Sequence, residues 1–420
     1  MSFTRSSLDP SPIVDTVFTV AKQAKEDILK NGEENVINAT IGSLYDEDGQ
    51  LVALKSVFNH YDALSHQIKA SYAMSFKGNV TYCEQVWNWL LQGRSLNLAH
   101  STIATPGGSG AISSAFLNFL NPNETVVIPE IAWAVYKMMA DQYCLNVEKY
   151  NLFNQDQFNL ESFKTICRKV LHKQKKLLVV INDPCHNPTG YSMSLEEWNH
   201  VIEFLNELSK EGPCILLNDI AYLDYGFDCD HTRDYLSALN CLEENVLVLI
   251  AFSTSKTCTS YGLRCGAAIL IAKDFNKLKQ TENLFEKTAR AVWSNIPNAA
   301  MENFTWVTTE NKAAFMQEKQ SYVDLLKQRS QIFIKEAESV HLPIYPFKEG
   351  FFITIPIEDE LLKEIYHQKL IENHIYTIQV DKGIRVALCS LTTKKVQGLA
   401  FRMKSILEES KIKEKEPDSI

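Results

Sequence analysis

Residues Val246–Ala268 read VLVLIAFSTSKTCTSYGLRCGAA, and the rest of the chain is organised around them. Val246–Phe252 is an unbroken apolar run of strand length, the pattern of a strand buried on both faces. It breaks into Ser253-Thr254-Ser255-Lys256, and Arg264 follows before a second apolar run, Gly266–Ile271. A lysine directly after a buried strand is usually the chain returning to solvent. The alternative is an amine in a partly dry cleft, where burial and cationic neighbours lower its pKa enough to make it a nucleophile. This window leaves both readings open.

Outward from it, strand-like and helix-like segments alternate. Strands are expected at Thr125–Ile128, Leu177–Ile181 and Cys214–Leu217, and helices at Ile112–Leu120 and Ala132–Tyr143. A capping box at Ser194–Glu197 opens another helix, which Gly212 is expected to close. Near-continuous apolar strands alternating with helices predict an α/β fold with a mainly parallel sheet covered on both faces. Towards the N-terminus the spacing predicts helices over Ile13–Leu29, Leu51–Ala63 and Thr81–Leu91, a short strand over Val36–Ile41 and a turn at Asp46–Gly49. After about residue 310 the texture changes. A long charged helix (Lys312–Val340) leads to strands at Gly350–Ile357, Tyr376–Val380 and Ile384–Leu388, with helices at Leu361–Asn373 and Lys394–Ser410 and a solvated tail.

The bulk numbers narrow the function classes. With 420 residues the chain is long enough for two domains. A net charge of −9 disfavours a general nucleic-acid binder, which needs a basic face. No apolar run approaches the roughly 18 residues needed to span a bilayer, and the N-terminus lacks the apolar stretch of a secretory signal. The ten cysteines are scattered, without a C-x-x-C pair, and read as reduced thiols; no metal site is expected. A cytoplasmic enzyme is the default expectation.

Three polar clusters directly follow strands: Asn182-Asp183, Asn218-Asp219 and Ser253–Lys256. In a parallel α/β sheet, ligands bind outside the carboxyl ends of the strands. Gly107-Gly108-Ser109-Gly110 precedes a helix, where backbone N–H groups and the helix dipole favour an anion, although such a turn is more often a plain loop. Ser253, Ser255 and Arg264 could add side-chain contacts to a phosphate. Asp219 reads as a surface carboxylate or, alternatively, as the partner of a heterocyclic nitrogen, with Tyr222 donating into the same cleft. Trp133 taken alone is core. His186-Asn187-Pro188-Thr189-Gly190 is a turn by chemistry, with Asn187 either turn former or amide donor and His186 structural. Arg385 is the polar residue of an apolar strand, either snorkelling or presented to a carboxylate. Arg290 has the same two readings.

HNPTG at 186–190, NDIAY at 218–222 and SxSK at 253–256 followed by Arg264 occur in an order and spacing that resemble the class I aminotransferases, fold-type I enzymes dependent on pyridoxal 5′-phosphate (PLP). The resemblance runs from Asn38–Gly42 to Arg385, nearly the whole chain. It implies a seven-stranded large domain over residues 51–310, a small α+β domain over 311–420, and residues 1–50 as an arm and part of the small domain. It further implies that Lys256 holds the cofactor and serves as general base and acid. Asp219 would pair with the pyridine nitrogen, and Asn187 and Tyr222 would bond the phenolic oxygen. Trp133 would stack on the ring, Gly108, Ser109, Ser253 and Arg264 would hold the phosphate, and Arg385 would clamp the substrate α-carboxylate.

ARAVWSNIP at 289–297 is similar to the segment that, in the aspartate and aromatic subgroup, carries an arginine for a distal carboxylate, here Arg290, reaching into the neighbouring subunit of a homodimer. Gly42 and Tyr45 in IGSLYDEDG resemble the substrate-covering segment, and Tyr72 the tyrosine that reaches the phosphate across the dimer. Tyr136 stands where that subgroup commonly has histidine. The activity implied is a ping-pong exchange between an L-amino acid (aspartate, glutamate or an aromatic one) and a 2-oxo acid. The alternative on the same fold is a β-eliminating C–S lyase or a decarboxylase. A PLP-sensing regulator is disfavoured by the acidic charge and by the lack of a helix-turn-helix segment ahead of the arm.

Overall fold

The structure is a computed structural model describing residues 3–12 and 16–415. Seven strands form the central sheet: β1 (Ala99–Pro106), β2 (Thr125–Pro129), β3 (Asn146–Tyr150), β4 (Leu177–Asn182), β5 (Cys214–Asp219), β6 (Val246–Ser253) and β7 (Cys265–Ala272). Their spatial order is β1-β7-β6-β5-β4-β2-β3. β7 runs antiparallel to both neighbours, and every other adjacent pair is parallel.

Side chains of a strand alternate between faces, and here each face meets its own core. From β6, Val246, Val248, Ile250 and Phe252 enter one cluster, while Leu249 and Ala251 enter the opposite one. That double burial explains why these strands lack polar alternation. The strand register then sets the functional rim. Asn182 lies opposite Asp219, and Asp219 opposite Ala251. Ser253 lies opposite Gly266, and Gly266 opposite Thr105. The polar clusters after β4, β5 and β6 therefore emerge along one edge of the sheet, at the carboxyl ends of its parallel strands.

A second sheet, β8 (Phe352–Pro356), β9 (Ile378–Val380) and β10 (Gly383–Ala387), is antiparallel in the order β8-β10-β9. Helices Glu360–Glu372 and Leu399–Lys415 give it a core that includes Tyr366, Leu370 and Met403. The N-terminal segment joins this unit: Ile37–Asn38 pair in parallel with Ile375–Tyr376, and the Ala387 N–H donates to the Ala39 carbonyl at 3.0 Å. Helix Lys312–Ser339 serves both cores, with Phe315, Val323 and Leu326 in the large one and Phe333 and Ala337 in the smaller.

Several elements differ from the sequence reading. β1 and β3, and helices Leu160–Gln174, Phe275–Val292 and Asn298–Thr308, are unanticipated. β1 begins with the half-exposed residues Ala-His-Ser at the sheet edge, so its apolar run is too short to announce a strand. The Gly107–Gly110 segment is not a loop but the first turn of helix Gly107–Phe119. The capping box at Ser194 is present, but its helix ends at Leu208, four residues before Gly212. The expected helix over Lys394–Ser410 is interrupted at Gly398, whose φ is +79°. The strand expected over Val36–Ile41 shrinks to two residues. Of the first expected helix, Ile13–Asp15 lie outside the described residues and Thr16–Asn31 are helical; the tail beyond Lys415 lies outside them also. Among the described residues no helix is long and apolar enough to cross a membrane.

One side chain ties the N-terminal turn to the rest. Arg329 is fully buried and donates to the carbonyls of Tyr45 (2.9 Å), Asp46 (3.3 Å) and Cys389 (3.4 Å) and to the Glu47 carboxylate (2.5 Å). Arg329→Met would strand these acceptors, so the expected cost is about 2–4 kcal/mol of unfolding free energy. A denaturant-unfolding series measures it, and a loss below about 0.5 kcal/mol would contradict the assignment.

Candidate active site

The rim of the large sheet encloses a cavity lined by Gly108, Ser109, Ile112, Trp133, Asn182, Asn187, Asp219, Ala221, Tyr222, Ser253, Ser255, Lys256 and Arg264. At one end the lining is built for an anion. Gly107 has a φ of +69°, and a β-carbon on it would stand 2.6 Å from Arg264 Nη2, so glycine is what lets the guanidinium meet the helix start. Arg264 itself is held by the Tyr261 carbonyl (2.8 Å) and Ser255 Oγ (3.3 Å). Ser253 caps the short helix Thr254–Thr257, its Oγ accepting from the Ser255 N–H at 3.2 Å. Helix start, guanidinium and hydroxyls together offer donors suited to a phosphate dianion.

Elsewhere in the lining lies a buried carboxylate. Asp219 Oδ2 accepts from the Tyr136 hydroxyl at 2.6 Å and Oδ1 from the Ala221 N–H at 3.1 Å. Burial raises the Asp219 pKa, and the Tyr136 hydrogen bond, the Ala221 N–H and the Lys256 charge oppose it. Burial, reinforced by Asp219, holds the Tyr136 phenol far above its ordinary value, so it is a neutral donor at every working pH. Lys256 Nζ lies 5.4 Å from the Tyr222 ring centroid and 5.9 Å from that of Tyr261. Burial lowers its pKa, Asp219 pulls it back up, and Arg264 and Arg385 press it down. This is the dry, cation-flanked amine that the sequence left undecided.

Arg385 borders an adjoining cleft that shares Trp133 and Asn187 with the cavity. Its Nη2 donates to the Thr40 carbonyl (2.7 Å), its Nη1 to Asn187 Oδ1 (3.3 Å), and its guanidinium lies 4.5 Å from the Phe352 ring centroid. Its buried Nε has no partner among the described residues. Because Asn187 Oδ1 is taken by Arg385, the amide Nδ2 remains to donate. The HNPTG turn carrying Asn187 is fixed by Asn182 Oδ1 on the Asn187 N–H (2.8 Å) and by Thr354 Oγ1 on the Pro188 carbonyl (2.7 Å). His186 is buried within the turn with Nδ1 against Thr189 Oγ1 at 2.9 Å, and burial pushes its pKa down to about 3.

Gly108, Ser109, Trp133, Asn187, Asp219, Tyr222, Ser253, Lys256 and Arg264 thus meet in one cavity, with Arg385 beside it. Gly42 is close by, since a β-carbon there would stand 3.8 Å from the Tyr222 hydroxyl and 2.8 Å from Phe352. Three other sequence candidates lie elsewhere in the chain. Tyr45 lines a separate recess with Lys25, Ile28 and Ser390. Tyr72 is 82% exposed. Arg290 is exposed, donating to Ser294 Oγ at 2.7 Å with its guanidinium over the Phe76 ring.

Residues 34–403 match the sequence profile of the family described as aminotransferase class I and II. The chain belongs to that family. It is 29% identical to the aspartate aminotransferase of Salmonella typhi over 269 residues, 62% of this chain and 65% of that protein, and so matches just under two thirds of that relative's length. It is 25% identical to the aromatic-amino-acid aminotransferase of Escherichia coli K12 over 68% of this chain and 70% of that protein. Among solved structures, an aminotransferase from Anaerococcus prevotii superposes with a TM-score of 0.92 at 33% identity, covering 96% of this chain and all of that one. An aromatic-amino-acid aminotransferase of Burkholderia pseudomallei, covalently bound to pyridoxal phosphate, has a TM-score of 0.78 at 21% identity over 97% of this chain and all of that one. The class I and II family depends on PLP, and the donor set here fits it. An anion cradle, a buried carboxylate and an amine of lowered pKa line the same cavity.

Sequence reasoning missed two contributors. Tyr136 was placed only as a departure from the common histidine, yet three residues after Trp133 on the adjoining helix it reaches Asp219. Tyr261 was unassigned, although its hydroxyl accepts the Leu44 N–H at 3.0 Å and its ring flanks Lys256. The opposed charges around the amine are testable in the apoprotein by trace acylation and peptide mass spectrometry across pH. Lys256 is expected to react with a midpoint below that of the denatured chain. Asp219→Asn should lower the midpoint further by removing the charge that favours protonation, and Arg264→Met should raise it. A midpoint equal to the denatured one would refute the depressed amine.

Proposed function

We propose that this chain is a PLP-dependent amino-acid aminotransferase, transferring an amino group between an L-amino acid and a 2-oxo acid by a ping-pong mechanism. The observation that carries this reading is the partly buried Lys256 and the buried Asp219 in one cavity with the Arg264 anion cradle. Gly108, Ser109, Ser253, Ser255 and Arg264 would hold the phosphate, Trp133 would cover a ring face, and Asn187 and Tyr222 would donate to the phenolic oxygen. When bound, the cofactor supplies an electron sink for the bond cleaved at the substrate α-carbon.

The chain's own groups do the rest. Asp219, accepting from the Tyr136 hydroxyl, would hold a proton on the ring nitrogen. Arg385 would bind the substrate carboxylate from the adjoining cleft, which would orient the α-carbon. Lys256 Nζ, its pKa lowered by burial and its cationic neighbours, would act as the general base that takes the proton from that carbon and as the general acid that gives it back at the other end of the 1,3-shift. The rings of Tyr222 and Tyr261 flank the amine. The purified protein is expected to bind PLP with a visible absorbance that Lys256→Ala abolishes. A half-reaction screen of the common amino acids should then release 2-oxo acids. Ammonia and pyruvate in their place would transfer the assignment to a C–S lyase.

The substrate reading rests on Arg290 and its setting. With dicarboxylic donors, Arg290 would reach the distal carboxylate across a homodimer, where Tyr72 would approach the partner's phosphate site; aromatic donors would be accepted without that contact. The exposed apolar group Tyr72, Met74, Val80 and Val292 supports such an interface. Gly42 and Tyr45 would belong to the segment that covers the substrate. The scattered, unbridged cysteines fit a cytoplasmic setting. Arg290→Ala is expected to lower kcat/KM for dicarboxylic donors at least tenfold more than for aromatic ones, as order-of-magnitude loss of a charge-paired contact. Equal losses on both classes would reject the role.

A further inference from the structure

The loop that brings Asp219 and Tyr222 to the cavity continues into a second carboxylate that faces away from it. Asp224 is buried, and its two oxygens take four donors. Oδ1 accepts from Arg233 Nη2 (2.6 Å) and Lys319 Nζ (3.3 Å); Oδ2 accepts from Thr257 Oγ1 (2.6 Å) and Trp89 Nε1 (3.0 Å). Both cations are themselves buried, Arg233 at 2% exposure and Lys319 at 4%. Ionised groups held this far from water persist only where every partner is supplied.

One of those donors is not structural in an ordinary sense. Thr257 is the residue directly after Lys256. The neighbour of Asp224 makes a matching contact, for the Tyr225 hydroxyl donates to the Lys256 carbonyl at 3.0 Å. The other end of the same short helix is tied to the sheet, with Thr254 Oγ1 donating to the Cys265 carbonyl at 3.0 Å. The turn is therefore pinned at both ends, and one pin runs through the loop that carries Asp219 and Tyr222.

We propose that Asp224 is a positioning residue for the Lys256 amine: through Thr257 Oγ1, with Tyr225 on the Lys256 carbonyl, it fixes the lysine turn relative to Asp219 and Tyr222. The proposal rests on the reading of Lys256 as the residue that carries the cofactor. Four hydrogen bonds, three of them long-range, converge on a single side chain, and two of its own loop's groups grip the two residues whose backbone sets where the amine stands. A displacement of about 1 Å in such a group costs on the order of a hundredfold in rate.

Holoenzyme variants test it. Thr257→Val keeps the shape and removes the donor, while Asp224 retains its other three partners; Thr257→Ser restores the hydroxyl. Thr257→Val is expected to lower kcat about tenfold or more with KM for the amino donor changed less than threefold, and to move the pH midpoint of the cofactor's visible band; Thr257→Ser should recover both. Tyr225→Phe should act in the same direction, and the double variant more strongly. Asp224→Asn would leave Arg233 and Lys319 short of their counter-charge, and if it fails to fold, the Thr257 series decides. Values of kcat and band midpoint within twofold and 0.2 pH unit, as order-of-magnitude limits, in both Thr257→Val and Tyr225→Phe would overturn the proposal. So would a Thr257→Ser variant as impaired as Thr257→Val. Borohydride reduction of the wild-type holoenzyme separates the two levels. Cofactor mass on the Lys256 peptide with unaltered variants defeats the positioning role alone, whereas no mass there defeats the reading of Lys256 and the proposal with it.

Discussion

Burying a carboxylate at the end of a parallel strand is the constraint on which this site depends. Asp219 is 4% exposed, and an isolated carboxylate so placed would neutralise. Its charge is supported by one short bond from Tyr136, one from a backbone N–H and the field of Lys256. The same field acts in return on the lysine, whose amine would lose its proton still more readily without Asp219. Burial is the larger influence on both groups, and each favours the charged form of the other. A neutral phenol as the supporting donor, rather than an imidazole, means that this support does not itself titrate in the working range.

Around that pair the chain is knitted together by charged side chains that reach over long sequence distances. Arg385 from the C-terminal sheet meets Asn187 and the Thr40 carbonyl. Arg329 collects the carbonyls of the 45–46 turn and of Cys389. Asp224 gathers Trp89, Arg233, Thr257 and Lys319. In each case one side chain satisfies several partners at once, which is how the interior tolerates so many polar groups. Ion pairs Lys149–Asp381 and Lys382–Glu130 add a further link between the rim of the large sheet and the hairpin of the small one.

Much of the fold was legible because it rests on local periodicity. The apolar runs at Leu177, Cys214 and Val246 are long and unbroken since both faces of those strands are buried, and the structure places strands there. β1 was not legible, because its outer half is half-exposed and its residues carry no alternation. Dense charge masks the amphipathic helix Phe275–Val292 in the sequence, although its buried Leu278, Phe285 and Ala289 keep helical spacing. Gly212 misled because helix termination was read from a glycine, whereas the chain turns off at Ser209 in a right-handed conformation.

By itself the sequence determined the buried central strands, the family, and the identities of Lys256, Asp219, Asn187, Tyr222, Arg264 and Arg385 as candidates, since these depend on residue type at short spacings. Tertiary structure alone decided which of them share a cavity. Strand register puts Asn182, Asp219 and Ala251 in one row, and no local pattern encodes that row. It also decided that Tyr136 is the partner of Asp219, that Tyr45 lines another recess, and that Asp224 holds the lysine turn from beneath. The physical reason is the same throughout. Apolar periodicity is a property of neighbours in the chain, whereas a buried charge is stabilised by whichever donors the packed fold delivers, often from elements far away in sequence.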